Sequence, residues 1–444
     1  MFDGDLYLRG DDGYEQARVG RIFNGRRPEQ YPGAVLEAAT EADIVAGVRY
    51  AIERGWKVRA RAGGHSWAAW SLQDDALLID LGRLRNMTLS ADRRTVRVSP
   101  AIEGSTELAP FLEAHGLGFP GGHCPTVGIG GYCLQGGQGW NGRVWGWACE
   151  NIDAIDVVTA DGELVHATET DRADLLWAAR GAGPGFFGLV TAFHLRVHPL
   201  PPVFVHTTYV FPTDCFDELI TWAHEVLPTL ERGVEPVIVG VRIPGPAVLM
   251  HTTAMCSSME EAQRWMAPLE TCPVLDRAMV HEFCQPNSLD AEAVQQDASN
   301  PRGARYHTDC AWTDASAAAL VPRLRALMTD LPTERSFAIW YGWNPVRPLA
   351  DMAFSMEGNV YLAAYVISDG EHDDARCRDW LQARMAELEP VAKGTYLGDS
   401  DLNVRPAKFM ADANYARLEA LRDAFDPNRV FPGYHIKPGH QPNR

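Results

Sequence analysis

Apolar residues recur along this chain in two periods, and the period changes often. Over 34–55 the apolar positions Val35, Ala38, Ala39, Ile44, Val45, Val48, Ala51 and Ile52 follow helical spacing. Glu41 and Asp43 place negative charge where the second part of that run would start, and Gly55 supplies its stop. Residues 57–62 then read as a short strand running into the turn Gly63-Gly64, and 76–80 as another. Residues 94–99 alternate, with Val96 and Val98 on one face. A clear strand over 152–159 turns at Asp161-Gly162 into its hairpin partner at 164–167. A short helix over 174–180 passes through GAGPGFFG into a strand over 189–197, which the run His198-Pro199-Leu200-Pro201-Pro202 stops.

The texture changes near residue 200. Strand-like runs at 203–210, 237–241, 248–254, 337–341 and 360–367 are separated by helix-like stretches at 214–231, 258–269, 314–328 and 373–388. That order predicts an antiparallel sheet with helices on one side. One more helix at 413–425 ends at Asp426-Pro427-Asn428. The expected fold class is α+β, with an N-terminal part over 1–202, a middle domain over 203–390 and a closing segment over 391–444.

Residues 116–146 interrupt both periods. They hold twelve glycines, too many for an ordinary helix or long strand. Phe119, Val127, Ile129, Tyr132, Leu134 and Trp140 punctuate them, so the segment is no simple linker. It reads as a chain running tightly over a flat ligand with its amides exposed. Gly128-Ile129-Gly130 has no helix expected after it, which argues against a dinucleotide site of the βαβ kind.

Composition narrows the class. The 444 residues are 46% hydrophobic and 22% charged, with a formal net charge of −18. A broad anionic surface disfavours nucleic acid and anionic membrane as partners. The N-terminus shows no basic region followed by an apolar stretch, and no apolar run of membrane-spanning length occurs, so a cytoplasmic location is expected. The nine cysteines are scattered, odd in number and form no CxxC pair, so neither a disulfide framework nor a metal site is expected. His123 and Cys124 lack the spaced partners a metal would need.

Four segments bring these features together: RAGGHSW (61–67), GGHCPTVGIGGYCLQGGQG (121–139), DLLWAARGAGPGFFGLVTAFHLRV (174–197) and NYARLEALRDAFDPNRVF (414–431). They resemble the berberine-bridge-like branch of the FAD-linked oxidases, in the superfamily of vanillyl-alcohol oxidase and p-cresol methylhydroxylase. The resemblance is strong over 30–200 and 391–431 and weak over 203–390. It implies a PCMH-type FAD-binding fold split between the two strong regions, with a substrate domain inserted between them. It also implies FAD held by two covalent bonds, from His65 to the flavin 8α-methyl and from Cys124 to flavin C6. The chemistry is plausible independently, because an imidazole or thiolate held against an electrophilic flavin carbon can add to it. The glycine turn lets the backbone approach closely, and exposed amides at 61–66 suit a pyrophosphate.

The expected cofactor-binding set is therefore His65, Cys124, Arg61, Ala62, Gly63, Gly64, Ser66, Thr126, Val127, Gly128, Gly130, Gly131, Gly136, Gly137, Gly139 and Val190. Pro184 and Phe186 stand where the family commonly has glycine and asparagine, which puts a side-chain contact to the cofactor there in doubt. In relatives, a small residue around the bend at Ile129 leaves a pocket open to oxygen. Isoleucine, of middling bulk, favours an oxidase reading.

Many relatives take their base from a YxNYxD segment. Here 396–401 reads Tyr-Leu-Gly-Asp-Ser-Asp, so Tyr396 or Asp399 is the expected proton acceptor. Arg405 would be the cation that depresses the tyrosine's pKa. Trp340, Tyr341, Trp343, Asn344, Tyr361 and Tyr365 are the expected substrate wall, with His307 and Trp312 as further options. The expected activity is hydride transfer from an alcohol, amine or benzylic or phenolic carbon of a small natural product or sugar, with molecular oxygen reduced to hydrogen peroxide. A dehydrogenase with another electron acceptor, and a non-catalytic binding protein on a degenerate FAD fold, are the alternatives. Oxygen consumption separates the first, and absence of flavin colour the second.

Overall fold

The computed structural model describes residues 2–242, 244–345 and 347–436. Its N-terminal half builds two sheets. The first orders Asp5–Leu8, Ala34–Glu37, Ala76–Asp80 and Lys57–Arg61, and the inner pairs are parallel. The helix Glu41–Glu53 covers this sheet because Ile44, Val48 and Ala51 fall on one side and meet Leu36, Leu77 and Ile79. Full burial of Ile44 and Val48 stabilises the contact by roughly 1.5–3 kcal/mol each. Thr40 caps the helix: its Oγ1 accepts the Asp43 amide at 3.1 Å, and Asp43 accepts the Thr40 amide in return. The single helical run expected over 34–55 is thus corrected to a strand, a cap and a helix. Ala34, Val35 and Leu36 are all fully buried, and a short apolar run fits either period.

The second sheet is antiparallel and orders Met87–Leu89, Thr95–Val98, Leu189–Arg196, Ile152–Val158 and Leu164–Thr168. Between its strands, the glycine-dense segment folds into short pieces. One of them, Ile129–Leu134, is a helix opening at Gly128, where no helix was expected. A dinucleotide motif is still absent, because no strand runs into Gly128; only an isolated bridge joins it to Glu103.

From Val203 to Ser368 the chain builds a seven-stranded antiparallel sheet, ordered Val280–Pro286, Val203–Pro212, Pro246–Cys256, Val234–Arg242, Phe337–Gly342, Val360–Ser368 and Arg305–Thr313. Helices Phe216–Val226, Met259–Met266, Ala317–Thr329 and Asp374–Leu388 cover one face and share a core with it. The other face looks toward the N-terminal half. Two of these strands escape hydrophobic patterning. Val280–Pro286 is a mostly exposed edge, and Arg305–Thr313 carries buried polar groups, several of them paired rather than solvated. Asp309 meets Arg405 at 2.6 Å, and His307 meets Ser368 Oγ at 3.1 Å.

The chain returns to the first sheet at its end. Val58 donates to the Val430 carbonyl at 2.8 Å, and Asp426 accepts the amides of Val430 and Phe431. Residues 437–444 of the expected closing segment lie outside the described residues. No helix among the described residues is long and apolar enough to cross a membrane.

Where Lys57–Arg61 and Ala76–Asp80 end side by side, Arg61 and Asp80 form a buried ion pair, joined by Arg21 and by the Gly82 amide. Asp80→Asn leaves the buried Arg61 guanidinium without its counter-charge. It should destabilise the protein by about 3–5 kcal/mol, read as a lowered urea midpoint. An unchanged midpoint would show that the pair does not hold the sheet ends together.

Candidate active site

Two stretches of backbone meet with no side chain between them. A Cβ on Gly63 would stand 2.5 Å from the Gly128 nitrogen, and one on Gly128 would stand 2.7 Å from the Gly63 nitrogen. Gly64 is left-handed at φ +78°, and a Cβ there would strike the Arg21 carbonyl oxygen. This approach puts His65 against Thr126, with Nε2 2.9 Å from Oγ1. The imidazole stacks on Phe23, with ring centroids 4.2 Å apart. Phe23 also packs in a small cluster with Tyr306, Ile367, Trp67 and Cys124. Burial, helped by the nearby Arg302 cation, pushes His65 down to about 3, so its ring is neutral at neutral pH. Burial pushes the Cys124 thiol up to about 12.

His65, Trp67 and Cys124 line a cavity of about 1130 Å³ between the glycine-dense segment and the open face of the seven-stranded sheet. That exceeds the range of roughly 300–1,000 Å³ usual for one small ligand. Arg61, Ala62, Gly63, Gly64, His65, Ser66, Cys124, Val127, Gly128, Gly130, Gly131 and Val190 all line it, as do Pro184's neighbour Gly183, Pro184 itself and Phe186. The Arg61 side chain is turned away, onto Asp80 and the carbonyls of Ala17 and Arg18.

Several expectations are corrected. Thr126 does not line the cavity and instead holds His65. Gly136, Gly137 and Gly139 also lie off it. Their missing Cβ atoms make room for Phe354, Tyr132 and the Gly121 carbonyl. Ile129 is fully buried in the core cluster with Ile102 and Cys133 and does not border the cavity, contrary to the expected place beside the ligand. Trp340 faces the helices, because strand side chains alternate and its neighbours Ile339 and Tyr341 take the cavity face. Trp343 lies beyond the strand end and donates to Glu357 at 2.9 Å, and Asn344 is in the following loop; neither lines the cavity. Trp312 and His307 are likewise off it. Arg405 does not reach Tyr396: it is held by Asp309 at 2.6 and 2.8 Å.

Tyr341, Tyr361, Tyr365, Tyr396 and Asp399 do converge on the cavity. Tyr361 and Tyr365 donate to one oxygen of Asp399, at 2.5 and 3.0 Å, and Trp67 donates to the other at 2.9 Å. Burial raises Asp399 above the usual carboxylate range, opposed by those three donors. Tyr396 Oη accepts the Gly137 amide at 3.0 Å, yet burial and the nearby Asp399 raise its pKa. Sequence reasoning named all five of these groups but not the carboxylate–phenol pairing, nor Trp67 as its third donor.

Two further polar groups in the wall were missed. Gln138 Nε2 is buried without a hydrogen-bond partner among the described residues. Glu235 is 5% exposed; Gly142 N donates to its Oε1 at 2.9 Å and Tyr341 Oη at 3.2 Å. Burial pushes it up to about 7. Its one sequence signal was a lone acid opening the alternating apolar run Val237, Val239, Val241. The groups present suit FAD. Gly131 has no atom within 4 Å of where its Cβ would be, so the cavity passes directly over its backbone, and Gln138 offers an unused donor.

An FAD binding domain family matches residues 32–168. The FAD-linked oxidoreductase ptmO of Penicillium ochrochloron is 35% identical over 424 residues, which are 94% of this chain and 93% of that protein. Among solved structures, 6-hydroxy-D-nicotine oxidase from Arthrobacter nicotinovorans superimposes with a TM-score of 0.85 at 21% identity, covering 99% of this chain and 98% of that one. BBE-like 1 of Physcomitrella patens superimposes at 0.83 with 20% identity, over 99% and 98%. The chain belongs to the FAD-linked oxidoreductases, and its fold is that of the berberine-bridge-like, PCMH-type FAD oxidases.

The raised pKa of the half-buried Cys124 thiol has a measurable consequence. In flavin-free protein at pH 8, iodoacetamide should alkylate it at least about 100-fold more slowly than a free thiol, because little thiolate is present. Peptide mass spectrometry over time reads the rate. Alkylation as fast as that of glutathione would contradict the burial.

Proposed function

We propose that this enzyme is an oxidase that holds FAD through His65 and Cys124, removes a hydride from a carbon of a small organic molecule, and passes the electrons to oxygen. The observation that carries the reading is the gathering of His65 and Cys124 around Phe23 at the wall that also holds Asp399 through Trp67. The oxidised carbon would bear a hydroxyl or amine or be benzylic or phenolic, in a natural product or a sugar. When bound, FAD supplies the hydride acceptor and, once reduced, the two electrons that turn oxygen into hydrogen peroxide.

The chain's own residues divide the remaining work. His65 turns Nε2 to Thr126, which leaves Nδ1 as the atom that would hold the flavin 8α-methyl carbon; its neutral ring is the nucleophilic form. Cys124 would hold flavin C6 through its sulfur; the raised thiol proton and the C6 hydrogen would both leave as protons, with the two electrons passing through the ring to oxygen. Backbone at 61–66 and 127–131 would lie along the cofactor, with Gly131 leaving room for it.

The proton acceptor is Asp399 acting through a phenol. A substrate hydroxyl gives its proton to the Tyr361 or Tyr365 oxygen as that phenol passes its own to Asp399. Burial favours the protonated carboxyl, so Asp399 can hold the proton. Tyr396, resting on the Gly137 amide, borders the same space. We also assign 1–202 together with 391–444 to the cofactor-binding part and 203–390 to the substrate part. In support, Phe431 and Pro432 line the cavity beside Val58 and Arg59, while the sheet face over 234–365 forms its other wall.

The test is oxygen consumption with equimolar peroxide release by the yellow protein across a panel of alcohols, amines and phenols. Electron transfer to a quinone with no oxygen uptake would favour the dehydrogenase, and a colourless protein the binding module. Asp399→Asn should lower kcat by about 10²–10⁴-fold with the flavin still attached. An unchanged kcat would remove Asp399 from the chemistry. His65→Ala and Cys124→Ala should each keep flavin attached through acid denaturation and turn over much more slowly, whereas the double variant should release it. Retention of flavin by the double variant would place the attachment elsewhere.

A further inference from the structure

The substrate wall can be read as a grid from strand register. Glu235 pairs with Thr253; Val237 lies between His251 and Tyr341, and Tyr341 pairs with Tyr361; Val239 lies between Leu249 and Ile339. Phe337 pairs with Tyr365. All of these residues line the cavity. Side chains at alternate positions share a face, so the grid is a continuous surface. Its centre is aliphatic: Val237, Val239, Leu249 and Ile339. A sugar-binding wall would need many hydrogen-bonding groups there, because each buried hydroxyl without a partner costs free energy. Branched aliphatic side chains offer none.

Two carboxylates stand at the edge of this apolar surface: Glu292, held by His251 at 3.0 Å, and Glu235. Glu235 forms no ion pair among the described residues. Its hydrogen-bond donors are neutral, the Gly142 amide and the Tyr341 hydroxyl. Arg143, the nearest cation acting on it, turns its guanidinium to the backbone carbonyls of Glu231 and Val234. A buried carboxylate whose nearby cation makes no direct ion pair with it is costly to the protein alone, and a cationic ligand group in contact would relieve that cost. Glu235 lies two strands over and two residues along from Tyr361, roughly 12 Å between backbones, where the proton acceptor begins. Nitrogen bound at Glu235 would therefore serve as a handle rather than as the oxidised centre.

We infer that the cavity takes an elongated, largely apolar molecule carrying a protonated amine remote from the oxidised carbon, and that Glu235 anchors that amine. This rests on the flavin-oxidase reading for where the oxidised carbon lies. The test uses purified flavin-containing enzyme and three probes of equal length: n-octylamine, n-octanol and n-octanoate. Binding is read by calorimetry and by perturbation of the flavin absorbance. Octylamine should bind about tenfold or more tighter than octanol, as a charge-assisted hydrogen bond to a buried carboxylate requires, and octanoate should bind weakest. Glu235→Gln should erase the amine's advantage while leaving octanol binding unchanged. Should Glu235→Gln fail to fold, Tyr341→Phe, which removes a competing donor to the same oxygen, should retain or increase the advantage. Octylamine binding no tighter than octanol, an advantage that survives Glu235→Gln, an advantage lost in Tyr341→Phe, or cellobiose outbinding all three probes would each overturn the proposal. Flavin colour in the same preparations keeps the two readings apart. A colourless protein counts against the oxidase reading, whereas a yellow protein indifferent to the ammonium group counts against Glu235.

Discussion

Gly63 and Gly128 approach so closely that a methyl group on either would strike the other's backbone nitrogen. The two segments carrying the candidate attachment residues, 61–67 and 121–139, are held together by that contact. It sets the His65 ring on Thr126 and lets Phe23 pack against both the imidazole and the Cys124 cluster. Any side chain at these two positions would push the segments apart and separate groups that must act on one rigid ring. The left-handed turn at Gly64 and the buried Arg61–Asp80 pair just before it fix the direction from which the first segment arrives.

The opposite wall follows from a different constraint. Strand side chains alternate, so one antiparallel sheet can pack helices on one face and present a cavity on the other. The same alternation sends Trp340 into the helical core and Tyr341 into the cavity. Tyr361 and Tyr365, four residues apart on one strand, share a face and meet a single carboxylate oxygen of Asp399. Trp67, two residues past His65, holds the other oxygen of that carboxylate. One indole thus couples the cofactor wall to the proton-accepting cluster, over a separation of 332 residues in sequence.

Local features were legible in the sequence. The glycine turn before His65, the glycine density after Cys124 and most strands of the middle region all follow from short-range rules of backbone freedom and alternation. What depends on distant partners was not. The strand Arg305–Thr313 looks polar because its charges are satisfied by residues such as Arg405, far along the chain. Ile129 seemed poised beside the ligand, yet it turns into the core where the short helix Ile129–Leu134 begins. Asp399 was named as a proton acceptor without its phenols, since no spacing announces that Tyr361 and Tyr365 reach it. Glu235 passed unnoticed because a single acid at the head of an apolar strand looks like an ordinary strand end until burial is known.

The most direct measurement is proteolysis of the native enzyme followed by mass spectrometry of the flavin-bearing fragment. One FAD bonded at both ends should join the peptide containing His65 to the peptide containing Cys124 in a single cross-linked species. Two separate peptides with no flavin on either would contradict the account at its base.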